Sequence, residues 1–151
     1  MPSRASIQRV IKGANFSELE RIFYKWTRNH VPIKEREWIS IDGKAIRGTV
    51  RNHEGAKQNF TSLVSMFVSK RKQVLSVKKI ENKKESEIPA VKQLIEMLDL
   101  EGVIFTLDAL HCQKETVKTI VENKNDYVIG VKGNQKKLLQ KIKKNLSGKK
   151  R

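Results

Sequence analysis

WISIDGKAIRGT, residues 38–49, and VIFTLDALHC, residues 103–112, are the stretches on which the fold of this chain turns. Each is an apolar run that stops on an aspartate, Asp42 in the first and Asp108 in the second. VIFTL, from Val103 to Leu107, is almost wholly apolar, as a central strand covered on both faces should be. Trp38–Ile41 reads as a short strand running into Asp42 and Gly43. Between the two, Phe60–Val68 (FTSLVSMFV) is rich in β-formers, and Val74–Ile80 follows it after the charged turn Lys70–Lys72, so both read as strands. Ser86–Leu98 then places Val91, Leu94, Ile95 and Leu98 at helical spacing, with Pro89 tolerated in the first turn.

Outward from Asp108, Gln113–Glu122 is expected to be a helix with Val117, Ile120 and Val121 inward. Tyr127–Val131 is expected to be another buried strand, closed by a turn at Gly133–Asn134, and Gln135–Leu146 a basic helix carrying Leu138, Leu139 and Ile142. Before Trp38, residues 3–12 place Ile7, Val10 and Ile11 at helical spacing up to Gly13. Ser17 and Glu20 form an S-x-x-E capping box. It predicts a helix with Leu19, Ile22, Phe23 and Trp26 as its packing face, ended by Pro32. The order is three strands, helix, strand, helix, strand, helix. That matches an α/β fold of the ribonuclease H-like kind, a mixed sheet of three antiparallel strands with β-α-β additions, here behind a short N-terminal helical segment. A dinucleotide-binding sheet would open β-α-β with a G-x-G-x-x-G turn, and the sequence has neither.

The 151 residues are one domain's worth, and a hydrophobic share of 38% is ordinary for a globular chain. Thirty-two Lys and Arg against 16 Asp and Glu leave a net charge of +16. That balance calls for a polyanionic partner, because each phosphate neutralised releases counterions. Nucleic acid fits before an anionic membrane, since no apolar run approaches the ~18 residues of a spanning helix and Met1–Lys12 lacks a signal-peptide apolar segment. Cys112, the single cysteine, forms no internal disulfide and fits a reducing cytosol. Three histidines and one cysteine are too few ligands for a zinc finger.

In a ribonuclease H sheet the first and fourth strands are neighbours, so Asp42 and Asp108 are expected to face each other. Two hard carboxylates held there suit Mg²⁺ or Mn²⁺, which keeps most of its water and takes up phosphate oxygens. A pair of such ions serves both the attacking and the leaving oxygen of phosphoryl chemistry. The competing interpretation is a turn aspartate after a strand. It competes evenly for Asp42, which precedes Gly43, and less well for Asp108, because a charge capping an apolar strand is costly without a partner. His111 and Cys112 are adjacent and point different ways, which speaks against a Cys/His nucleophile. Lys44, Arg47, Arg51 and Lys57 suit either phosphate contact or a solvated basic face. Trp26 and Trp38 read as core or interface aromatics. The Lys-rich stretch Lys136–Arg151 suits salt-sensitive DNA binding or a charged exterior.

IDGKAIRGT (41–49), the Glu87-Ile88-Pro89 helix start, TLDALHCQKET (106–116) and DYVIGVKGNQ (126–135) come in an order that closely resembles the insertion-sequence transposases called H-repeat-associated proteins. The resemblance covers about residues 38–146. SRASIQRVIKG and the helix up to Trp26 look like the tail of the helical region that precedes the catalytic domain in that family. The resemblance implies a helical remnant over 1–32, a partial ribonuclease H-like DDE catalytic domain over 37–146 and a basic tail over 147–151. It implies a Mg²⁺-dependent transposase that cuts and rejoins DNA at transposon ends, with Asp42 and Asp108 as the first two catalytic, metal-binding acids. Lys132, Asn134 and Gln135 fall in the family's V-K-G-N-Q block and, with Lys44 and Arg47, are expected to face DNA.

The third acid of that family is a Glu on a helix well beyond the V-K-G-N-Q block. Here the last acid is Asp126, and residues 127–151 hold nine Lys or Arg and no carboxylate. Glu115 and Glu122 come too early in the sequence for that role. The expectation is a truncated, inactive copy with weakened metal binding, located in the cytoplasm. Its partners would be transposon-end and target DNA, with no membrane, and it would pair with itself or with an intact transposase. Two alternatives stay open: a non-enzymatic DNA-binding protein derived from a transposase and modulating the intact enzyme, and a ribonuclease H-type nuclease using another carboxylate.

Overall fold

Strand pairing sets the architecture of the computed structural model, which describes residues 1–51, 59–81 and 87–147; side chains at 47–51, 59, 60 and 81 lie outside that description. Strands β1 (Trp38–Arg51), β2 (Asn59–Val68) and β3 (Gln73–Glu81) form an antiparallel meander. On the other side of β1, strands β4 (Ile104–Leu107) and β5 (Asp126–Ile129) add in parallel, giving the order β3-β2-β1-β4-β5. This is the ribonuclease H-like mixed sheet expected from the sequence. Helix α3 (Glu87–Leu98) connects β3 to β4, α4 (Lys114–Glu122) connects β4 to β5, and α5 (Lys136–Ser147) follows.

The middle of the sheet is its most apolar part. Ile39 on β1 and Phe105 on β4 are fully buried, and α3 packs Val91, Leu94 and Ile95 into the same core. Burying each side chain of this size contributes roughly 1.5–3 kcal/mol. None of the described helices is long and apolar enough to cross a membrane.

Four expectations need correction. Strand β1 does not stop at Ile41 but pairs with β2 beyond it, through Gly43↔Val64 to Ile46↔Thr61, so Asp42 and Gly43 lie inside a strand and not in a turn. The apolar letters after Gly43 had room for a strand, but the sequence alone did not show that β2 was long enough to pair with it. The strand over 126–129 is not buried: Tyr127 and Val128 are 43% and 52% exposed, because β5 is an edge strand and α5 buries none of its residues against it.

Helices α1 (Arg4–Gly13) and α2 (Phe16–His30) are present, but Asn15 caps α2, not Ser17. The Asn15 side-chain oxygen accepts from the amides of Ser17 and Glu18 at 3.1 and 3.4 Å, the ordinary geometry of an N-cap. Nor does the expected apolar stripe pack, since Leu19, Ile22 and Trp26 are each about half exposed. The helix docks by a polar face. Strand β3 is the other edge of the sheet and leaves backbone groups unpaired. Glu20 accepts the amide of Lys79, and the hydroxyl of buried Thr27 donates to the Leu75 carbonyl at 2.7 Å.

Asn125 ties the site-bearing half together. It is buried at the α4–β5 junction, accepts from the Val103 amide at 3.0 Å and donates to the Leu100 and Asn123 carbonyls at 2.6 and 2.8 Å. Asn125→Ala leaves these backbone groups without a partner. We expect it to destabilise the chain by about 1–3 kcal/mol, read as a lower urea midpoint; an unchanged midpoint contradicts this role.

Candidate functional site

Strands β1 and β4 run parallel through Trp38↔Ile104, Ile39↔Phe105 and Ser40↔Thr106. Side chains alternate along a strand, and the Ser40 and Thr106 hydroxyls show which of them share a face: Thr106 Oγ1 donates to Ser40 Oγ at 2.9 Å. Two residues further along each strand stand Asp42 and Asp108. The backbone is still extended at Asp108, with φ −70° and ψ 164°. The register therefore brings the two aspartates side by side on neighbouring strands, about 4.8 Å apart between strand axes. Both are solvent-exposed. Beyond this point β1 continues alone along β2, because β4 ends at Leu107.

Asp108 begins a single 3-10 turn, Ala109–His111, and its Oδ1 accepts from the Ala109 amide and from Lys132 Nζ, the latter at 3.2 Å. These donors, the Ala109 amide first and the Lys132 ammonium second, hold the carboxyl below its ordinary value. The V-K-G-N-Q segment folds back on the same turn. Asn134 Nδ2 donates to the Ala109 carbonyl at 2.6 Å and Gln135 Nε2 to the Cys112 carbonyl at 2.7 Å. Three of the residues singled out in the sequence thus converge on the Asp108 turn. Lys44 is exposed and lies two residues beyond Asp42, on the same face of β1. The side chains of Arg47 and Arg51 and the whole of Lys57 lie outside the described residues.

Two further residues belong here that the sequence did not single out for the site. Glu87, in the first turn of α3, lies over Gly43: its carboxyl carbon is 2.9 Å from where a Cβ on Gly43 would be, so only glycine fits beside Asp42. His111 is buried, 3% exposed, and its Nδ1 has no hydrogen-bond partner. Burial pushes its imidazole below the usual value, against the pull of the nearby Glu87 and Asp108 carboxylates. The signal for Glu87 was its place at a helix start directly after the third strand. Nothing in the letters signalled the burial of His111. Among the described residues, no three acidic, His or Cys side chains already stand together as a ligand set.

Residues 33–151 match the family described as "Transposase DDE domain". The chain is 37% identical over 138 residues to "Putative transposase YncI" of Escherichia coli O157:H7, covering 91% of this chain and 35% of that protein. It is 30% identical to "H repeat-associated putative transposase YbfD" of Escherichia coli strain K12, covering 91% of this chain and 53% of that one. The chain therefore spans about a third to a half of the length of these relatives. A solved structure of a piggyBac transposase synaptic complex with hairpin DNA aligns over 67% of this chain and 24% of that chain, at 14% identity and a TM-score of 0.47.

The donors around Asp108 give a sign-defined expectation. A carboxyl with a depressed folded-state value adds stability above its unfolded-state value, near 3.8, and that stability is lost as pH falls through the folded value. In a carbon-detected NMR titration Asp108 should titrate below 3.8, and Lys132→Met should move its midpoint upward while the Ala109 amide keeps it depressed. A midpoint unmoved by Lys132→Met contradicts the ion pair.

Proposed function

The chain belongs to the transposase DDE-domain family, and from that premise we propose that it carries the metal-binding aspartate pair of an insertion-sequence transposase on a DNA-binding surface. The observation that supports this most is the shared register of Asp42 and Asp108 on adjacent parallel strands. The residues suit a divalent cation: two exposed carboxylates offer hard oxygen donors, and a buried imidazole nitrogen without a partner sits beside one of them. When bound, Mg²⁺ or Mn²⁺ would supply Lewis-acid activation at a phosphodiester.

The chain's own residues do the rest. Asp42 and Asp108 fix the cation at the end of β4. Asn134 and Gln135 hold the Asp108 turn from behind, which keeps its carboxylate in place. Lys44 and Arg47 lie along β1 beyond Asp42, where positive charge would meet the phosphates on either side of the reacting bond. The net charge of +16 supplies non-specific attraction to DNA with a steep salt dependence. Pairing of two copies, or of this chain with an intact transposase, and residence in the cytoplasm follow from the same proposal.

A second reading is favoured by one observation. The third acid that the family resemblance implies after the V-K-G-N-Q block is not among these residues, since no carboxylate follows Asp126. On that reading the chain binds DNA without cutting it and modulates an intact transposase.

Asp42→Asn and Asp108→Asn should each abolish the Mg²⁺-induced rise in melting temperature while leaving duplex DNA binding at low salt unchanged. A rise of the same size in both variants contradicts the metal site. Nicking of plasmid DNA that requires Mg²⁺ or Mn²⁺ and is lost in Asp108→Asn removes the second reading, whereas binding without metal-dependent nicking supports it.

A further inference from the structure

We propose that Glu87 is the third carboxylate of the ion site, contributed from α3 and not from a helix after the V-K-G-N-Q block. The proposal rests on the assignment of Asp42 and Asp108 to that site and adds a ligand to it. Its geometric basis is the contact with Gly43, which puts the Glu87 carboxyl against the backbone one residue past Asp42. Because β4 ends at Leu107 while β1 runs on, the β4 side of β1 is open at Asp42 and Gly43. Groups from both faces of the sheet can meet in that opening. Glu87 enters from the α3 side, Asp42 from the face marked by Ser40, and Asp108 from the end of β4.

The Glu87 carboxylate is half-buried and makes no hydrogen bond or ion pair among the described residues. A partly buried charge left unpaired is costly, and a cation would satisfy it. His111 supplies an independent sign of a ligand. It is almost wholly buried, its Nδ1 is unpartnered, and its ring lies within electrostatic reach of both Glu87 and Asp108. A hydrated divalent ion held by those two carboxylates would bring water to that nitrogen, since Mg²⁺ keeps several waters when bound.

The three carboxylates do not yet form a ligand set because Asp108 is turned to the Ala109 amide and to Lys132. The ammonium of Lys132 holds the place of positive charge at Asp108. An entering cation would draw Asp108 off that lysine, a small change for a side chain that is 64% exposed.

The test uses the whole chain and Mn²⁺ as the probe, followed by isothermal titration calorimetry. Glu87→Gln, which keeps the shape of the side chain, should weaken Mn²⁺ binding at least about tenfold, the loss that removal of even an outer-shell partner can cause. Its melting temperature in EDTA should match that of the unaltered chain. If Glu87→Gln binds Mn²⁺ as tightly as the unaltered chain while Asp42→Asn does not, Glu87 is no ligand and the aspartate pair stands. If Asp42→Asn also binds unchanged, both assignments fall. Should Glu87→Gln fail to fold, substoichiometric Mn²⁺ added to the ¹⁵N-labelled unaltered chain must broaden the Glu87 amide along with those of Gly43 and Ala109. Broadening of the latter two alone overturns the proposal.

Discussion

Three rungs of parallel pairing, Trp38 with Ile104, Ile39 with Phe105 and Ser40 with Thr106, hold β1 against β4. A slip of one residue in that pairing would turn every side chain of β4 to the opposite face. Phe105 would leave the core for solvent, and Asp108 would no longer stand level with Asp42. The cost of exposing Phe105 and its neighbours thus fixes the position of two charged groups that contribute nothing to the core. Chemistry and stability are coupled through register: the apolar residues choose the alignment, and the aspartates stand where it places them.

Around that pairing the structure solves three separate problems with polar side chains at strand edges and ends. Glu20 and Thr27 cover the free edge of β3. Asn125 closes the junction through which β5 enters the sheet. Asn134 and Gln135 brace the turn that carries Asp108. In each case an amide, hydroxyl or carboxylate pairs with backbone that the sheet leaves unpaired, where an orphaned group would carry a desolvation penalty. The apolar faces of α2 and α5 remain exposed, at Ile22 and Trp26 on one and Leu138 and Leu146 on the other.

Much of this was legible in the letters. Element order and the adjacency of the first and fourth strands followed from apolar runs of the right length and kind, and VIFTL announced a central strand. What failed was anything that depended on a partner distant in sequence. Asp42 looked like a turn residue because Gly43 follows it; the glycine is there because Glu87, more than forty positions later, needs the space. The stripe through Leu19 and Trp26 looked like a packing face because helical spacing says which residues share a side, not which side meets the sheet. Tyr127–Val131 looked buried because apolar letters do not reveal whether a helix lies over them. The V-K-G-N-Q block was visible as a motif, but its hydrogen bonds to residues 109 and 112 were not, since they span more than twenty residues.

Anomalous diffraction from crystals of the chain soaked in Mn²⁺ tests the central claim most directly. The account predicts an anomalous peak at the open end of β4, with carboxylate oxygens of both Asp42 and Asp108 in its coordination sphere. Asp42 and Asp108 found on opposite sides of the molecule, or a peak at which neither is a ligand, would contradict it.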